Sequence, residues 1–282
     1  MDTIKDTVTL IPYLLITYLG MEWLERKTED QSVNVLSRVN RFGHVLGAGI
    51  GLLPQCGFSA GAASLYSGGV ITAGTLLAVF LSTSDEMIPI FVSSSVAPAT
   101  IGRILAAKFV IALISGIAVD FASHVIRYGF HADKHIHDLC ERDHCGCEEE
   151  EGSIFHSALI HTAKITGFIF IISLILSLVI GYAGHDALAS VLTSVPVLGS
   201  VLTGIIGLIP NCAASVVITQ LYLEGMLTTG QLMSGLLVGA GAGLLVLFRS
   251  NTHHKENIAI TAALLVLGVA WGILIDILGI VF

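Results

Sequence analysis

Long uncharged stretches dominate the pattern of hydrophobic and polar positions. Between Arg41 and Asp85 lie 43 residues without Asp, Glu, Lys or Arg, and between Asp186 and Glu224 another 37. One bilayer crossing needs only about 20 apolar residues, so each stretch must cross, or enter and leave, more than once. The pattern predicts helices near 6–25, 42–54, 56–68, 70–97 and 101–126, the fourth interrupted at Ser84 to Glu86. A second set is expected near 154–183, 187–210, 212–224, 228–248 and 256–282. The first helix has acidic flanks at Asp2 and Asp6 and no small-residue cleavage site after it, so it reads as a span and not as a removable signal.

The two sets are copies. Sliding 51–76 by 156 positions onto 207–232 gives 11 identities in 26 without a gap, among them Gly51, Pro54, Cys56, Ser59, Tyr66, Gly69 and Thr72. The same offset pairs Gly116 with Gly272 and Asp120 with Asp276. Residues 1–126 form a first membrane repeat, 127–153 a polar linker and 154–282 a second repeat. Repeats with interrupted helices at matching positions point to a secondary transporter and to its binding site.

Composition narrows the class. Charged residues are 12% of the chain, against roughly 25% in a soluble domain, and mean hydropathy is +0.85. The expected fold is an all-α polytopic membrane protein of about ten helices in two inverted repeats with Pro-broken helices. The net charge of -8 owes much to the linker, where Glu148 to Glu151 stand together, and nothing supports nucleic-acid binding.

Each segment beside Pro54 is about 12 residues, or about 18 Å as helix, too short for a core of about 30 Å. A re-entrant hairpin or two full spans there both give an odd number of crossings and opposite orientation for the halves, whereas a kinked single helix gives a parallel repeat. The breakers Gly51, Pro54 and Gly57 favour the odd count. Arg26, Lys27, Arg38 and Arg41 place the first loop in the cytoplasm, the N-terminus outside and the linker inside. Arg103 and Lys108 are expected near the opposite face, against that orientation.

Pro54-Gln55-Cys56 and Pro210-Asn211-Cys212 are the leading site candidates. Proline removes a helical donor, so carbonyls of Ile50 to Leu53 are expected to lose partners and become cation ligands beside the amide and thiol that follow. A mixed oxygen and sulfur set suits a transition metal. Were Pro54 instead the first residue of the next helix, the N–H groups of residues 55–57 would attract an oxyanion. The plain alternative is a kink with cysteine as a small apolar filler.

Asp85 and Glu86 interrupt an otherwise uncharged segment and are read as counter-charges in an ion path, with an external turn as the alternative. Their equivalents are Gly241 and Ala242, within the Gly-rich run 235–243. Asp120 and Asp276 read as solvated at the interface, and His44 as a lone packed histidine. Arg249, His253, His254 and Lys255 read as a solvated loop.

In the linker, His131, His135, His137, Cys140, His144, Cys145 and Cys147 crowd together with Asp133, Asp138 and Asp143, a density suited to capturing or sensing metal. The five cysteines make a poor disulfide framework. No phosphate-cradling Gly-Lys-Ser/Thr and no His-Glu-x-x-His motif occurs, which argues against ATP-driven pumping and against an enzyme.

The chain resembles the ten-span heavy-metal exporter family, whose members are labelled manganese transporters or arsenic efflux proteins. The resemblance rests on Gly51-Leu-Leu-Pro-Gln-Cys-Gly57, Ser84-Asp-Glu-Met-Ile-Pro89, Gly207-Leu-Ile-Pro-Asn-Cys-Ala213 and the His/Cys-rich centre. It implies a transporter of about ten helices. Taken together, the expectation is a multi-pass cell-membrane transporter moving a divalent transition-metal cation, with Mn, Fe, Co, Ni and Zn undecided and no obligatory cofactor. Its site would use Gln55, Cys56, Asp85, Glu86, Asn211 and Cys212. Its partners would be the lipid bilayer and metal ions, with a homo-oligomer left open. An oxyanion or arsenical carrier and a membrane metal sensor are the alternatives.

Overall fold

A computed structural model describes residues 11–12, 15–16, 19, 43–53, 56–84, 87–126, 159–160, 162–164, 166–168, 170–171, 174–175 and 199–282. Every regular element among these is a helix. In the first half they are α1 (43–51), α2 (Cys56–Ser67), α3 (Ala73–Ser82), α4 (Met87–Ser93) and α5 (Pro98–Ile126). The second half has α6 (Gly199–Gly207), α7 (Cys212–Leu223), α8 (Thr229–Val238), α9 (Ala242–Ser250) and α10 (His254–Ile277). The described positions within 11–19 and 159–175 are helical too, where the first helix of each half is expected.

Helix starts repeat with the sequence: α2, α3 and α5 begin at Cys56, Ala73 and Pro98, and α7, α8 and α10 begin 156 residues later. Gly69 and Gly225 share the left-handed conformation that ends α2 and α7, with φ of 75° and 74°. Among the described residues, four segments are long and apolar enough to cross a membrane: Ala73–Ser93, Pro98–Ser123, Thr229–Ser250 and His254–Ile277. The first and third each contain a break, α3 to α4 and α8 to α9.

The start of each broken span is fixed by the long helix that follows it. Thr72 caps α3, its hydroxyl accepting from the Thr75 amide at 3.1 Å and donating to Asp120 at 2.5 Å, while the Gly74 N–H donates to the other Asp120 oxygen at 2.7 Å. Thr228, Gly230 and Asp276 repeat the arrangement on α8 at 2.8 Å for both carboxylate contacts. A carboxylate there satisfies orphan amides and faces the positive helix end. The two aspartates are therefore helix caps and not simply solvated interface groups. His44 is not alone either, since its Nε2 lies 2.8 Å from Asp120 Oδ2.

Glycine permits this docking. A Cβ on Gly116 would lie 2.6 Å from the Gly74 carbonyl oxygen, and one on Gly272 would lie 2.5 Å from that of Gly230, so α5 meets α3, and α10 meets α8, backbone to backbone.

Layering follows from composition. The broken spans are inside, with 75% and 78% of their windows buried, against 33% and 28% for α5 and α10. On α5 a stripe of Ile104, Lys108, Ile111, Ala112 and Ser115 is buried, while Val110, Ile114, Ile117 and Phe121 face outward. Ile258, Val266, Ile273 and Ile277 do the same on α10. Apolar side chains on the outside suit a lipid surround. The halves interlock: α2 packs on α9, and α4 on α7, where the Phe91 and Tyr222 rings stand 6.3 Å apart. Trp271 Nε1 donates to Ser115 Oγ at 3.0 Å, a contact between equivalent positions of the two copies.

Gly116→Ala should destabilise the fold by about 1–3 kcal/mol through overpacking, whereas Gly102→Ala on the same helix, with open space at its Cβ, should leave it unchanged or slightly firmer. Unfolding of both variants in detergent checks this; equal stability would mean that α5 and α3 do not touch at Gly74.

Candidate functional site

Two helix breaks meet at one buried cation. The α3 helix ends at Ser82 with its hydroxyls folded back: Ser82 Oγ donates to the Ala78 carbonyl at 2.8 Å and Thr83 Oγ1 to that of Val79 at 2.8 Å. The chain then leaves the helical path, so the Thr83 carbonyl faces away from the ladder. In the second half Gly239 still bonds the Gly235 carbonyl, but the Ala240 amide turns to Val238 at 2.7 Å. That turn releases the Leu236 carbonyl, which Ala240 would serve in an intact helix. Gly241 then takes φ 54° and ψ -136°, a backbone closed to residues with a side chain, and α9 begins.

Lys108 bridges the two. It is 0% exposed, and its ammonium donates to the Thr83 carbonyl and, at 3.0 Å, to that of Leu236. Both acceptors lie at C-terminal helix ends, where the backbone dipole is negative. Lys108 is thus at the centre of the fold and not near a membrane face as its position along the chain suggested. The span near 228–248, expected to be continuous, is broken at 239–241.

The Pro-Cys segments approach the same place. Just before Pro54, a Cβ on Gly51 would lie 2.5 Å from the Val79 carbonyl oxygen, against the last turn of α3. Just after it, Ser59 packs on Gly243, whose Cβ would lie 2.9 Å from that of Ser59, so the first turn of α2 rests on the first turn of α9. Gly207, ahead of Pro210, packs on Gly235 in α8, and α7 packs on α4. The described residues that flank each motif therefore touch both halves: Gly51 and Gly207 pack on the broken helix of their own half, and the helix after each motif packs on the other half.

Cys56 opens α2, half-buried and outside any disulfide. Asn211 is half-buried at the turn before α7, its N–H bonded to the Ile209 carbonyl at 2.7 Å. The Ile50 carbonyl is not vacant as expected, because the Leu53 amide folds onto it at 3.1 Å. Ser84 and Met87, which flank Asp85 and Glu86, are 2% and 0% exposed. Pro54, Gln55, Asp85, Glu86, the Cys212 side chain and the linker with His131, His135, His137, Cys140, His144, Cys145 and Cys147 lie outside the described residues. Among the described residues no three His, Cys, Asp or Glu side chains converge. His253, His254 and Lys255 are exposed at the start of α10, as expected.

Lys108 was missed because in sequence it is one cation on an apolar helix. The available signal was its register: it lies four residues after Ile104 and four before Ala112, on the stripe that Ile260, Leu264 and Gly268 repeat in the second half.

Gly243→Ala should destabilise the fold by about 1–3 kcal/mol, because the added Cβ would lie 2.9 Å from that of Ser59 and 2.7 Å from a Phe80 ring carbon. Unfolding in detergent reads the change, and its absence would separate the α2 start from the second break. No family model, curated protein or solved structure matches the chain, so the junction's function rests on its own residues.

Proposed function

We propose that the protein is a secondary transporter of divalent transition-metal cations, multi-pass in the cell membrane, with its site at the junction of the two helix breaks and the two Pro-Gln/Asn-Cys turns. The observation that supports this most is the convergence of two C-terminal helix ends, one from each half, on a single buried positive charge. Carbonyls at such ends are cation ligands in broken-helix transporters.

The helices α3 and α8 are each 10 residues long. That is about 15 Å, half of a core of about 30 Å. With the repeats inverted, the two helices enter from opposite faces and their ends meet at the midplane, where a rocking of one helix group against the other alternates access. In this reading Gln55, Cys56, Asn211 and Cys212 are ligands, and Asp85 and Glu86 supply counter-charge. The N-terminus is outside, and the cytoplasmic linker 127–153 delivers metal without being the translocation site. The two carbonyl oxygens that converge at the junction favour a cation over the oxyanion alternative, which would draw on the starts of α2 and α7. No enzymatic step is assigned.

Purified protein in liposomes, offered a panel of divalent ions and oxyanions, tests the reading; movement of oxyanions alone would replace it. The double change Asp85→Asn with Glu86→Gln should cut metal flux roughly tenfold or more in folded protein. Cys56→Ser should weaken Zn or Co transport more than Mn transport, because a hydroxyl is a poorer ligand for softer ions. Wild-type flux and ion preference in these variants would remove the residues from the path.

A further inference from the structure

We propose that Lys108 is the resident cation of the transport site: it fills the junction when no substrate ion is bound, and it must release the Leu236 carbonyl for that ion to enter. This rests on the transporter reading above and adds how the site handles its own charge.

The geometry carries the inference. A fully buried ammonium is expensive, and breaking its pairing leaves an uncompensated charge. Lys108 meets part of that cost where two helices of different halves end together. Those oxygens lie in different halves, so they part whenever one half moves against the other. Lys108 belongs to α5, which docks on α3 through Gly74 and Gly116, so the lysine travels with the Thr83 carbonyl and leaves that of Leu236. The equivalent position is Leu264, fully buried, so the second half brings no competing charge. One tethered cation serves one site.

The consequence concerns the empty carrier. A junction of negative helix ends with no cation is costly to carry through an apolar interior, just as a loaded one is not. With Lys108 still on the Thr83 carbonyl the unloaded protein keeps a cation at the junction as it returns, so net transport continues. No proton transfer is needed, because the ammonium swings aside with its charge intact. A merely structural staple makes a different prediction, since it would support every transport mode equally.

The test separates two modes in liposomes containing the full chain, using Mn²⁺ and Zn²⁺ as probes. Net flux is measured into ion-free vesicles, and exchange is measured with the same ion on both sides. Lys108→Met and Lys108→Gln, the second keeping hydrogen bonds without charge, should lower net flux roughly tenfold or more beyond any loss they cause in exchange. Apparent affinity in exchange should tighten, and Lys108→Arg should restore part of the net flux. Equal loss of both modes in a folded Lys108→Gln protein would overturn the proposal and make Lys108 a staple. Unchanged net flux in either neutral variant would overturn it as well. If wild-type protein moves neither ion in either mode, the transporter reading itself fails, and this inference falls with it.

Discussion

In an apolar interior a backbone carbonyl that loses its helical donor must find another, and this constraint organises the protein. Breaking α8 at Gly239 frees the Leu236 oxygen, and ending α3 at Ser82 turns the Thr83 oxygen out of its ladder. Left alone, each would cost several kcal/mol in a lipid-like medium. Hydroxyls of Ser82 and Thr83 absorb part of the demand locally, and Lys108 answers both remaining oxygens at once. Because one ammonium serves both breaks, the ends of α3 and α8 must come together. The close packing of Gly51 on α3 and of Gly207 on α8 then brings the helix ends that precede the two prolines against the broken helices.

The frame is duplicated, but the chemistry is not. Helix starts, Thr caps, capping aspartates and docking glycines recur at the 156-residue offset. Charges differ: Lys108 faces Leu264 as its equivalent, Asp85 and Glu86 are matched by Gly241 and Ala242, and His44 by Ser200. Symmetric scaffolding with one-sided charge gives a single polar junction between two similar shells. The asymmetry also explains why α3 ends in a hydroxyl-rich turn whereas α8 ends in glycines. The first break sits beside its own acids, and the second has only backbone to offer.

The repeat, the helix content and the first break were legible because they depend on local signals: a gapless offset, uncharged runs, and acids inside an apolar segment. The second break was not, because Gly239-Ala240-Gly241 carries no polar residue and glycine is common in membrane helices. Pairings distant in sequence were also hidden. His44 and Asp120 are 76 residues apart, and Lys108 and Leu236 are 128 apart, so hydropathy could not show either meeting. The aspartates were read as interfacial from their position near helix ends, and only the Thr72 and Thr228 caps reveal what they hold. The Pro-Cys motifs were chosen as the centre because they repeat. The cation that defines the centre does not repeat, and a search for duplication passes over it.

The hydrogen bond from Trp271 to Ser115 joins a residue to its own counterpart. Such self-meeting places the bond at a seam between the copies, where identical subunits would present identical groups to each other. In a dimer of separate halves, two tryptophans would collide there or two serines would leave a gap. Fusing the halves into one chain frees the two positions to diverge, one supplying a donor and bulk and the other an acceptor and room. The same freedom lets a lysine and a leucine occupy matching sites, which no homodimer of the half could do. Joining the copies is therefore what makes a single central charge possible.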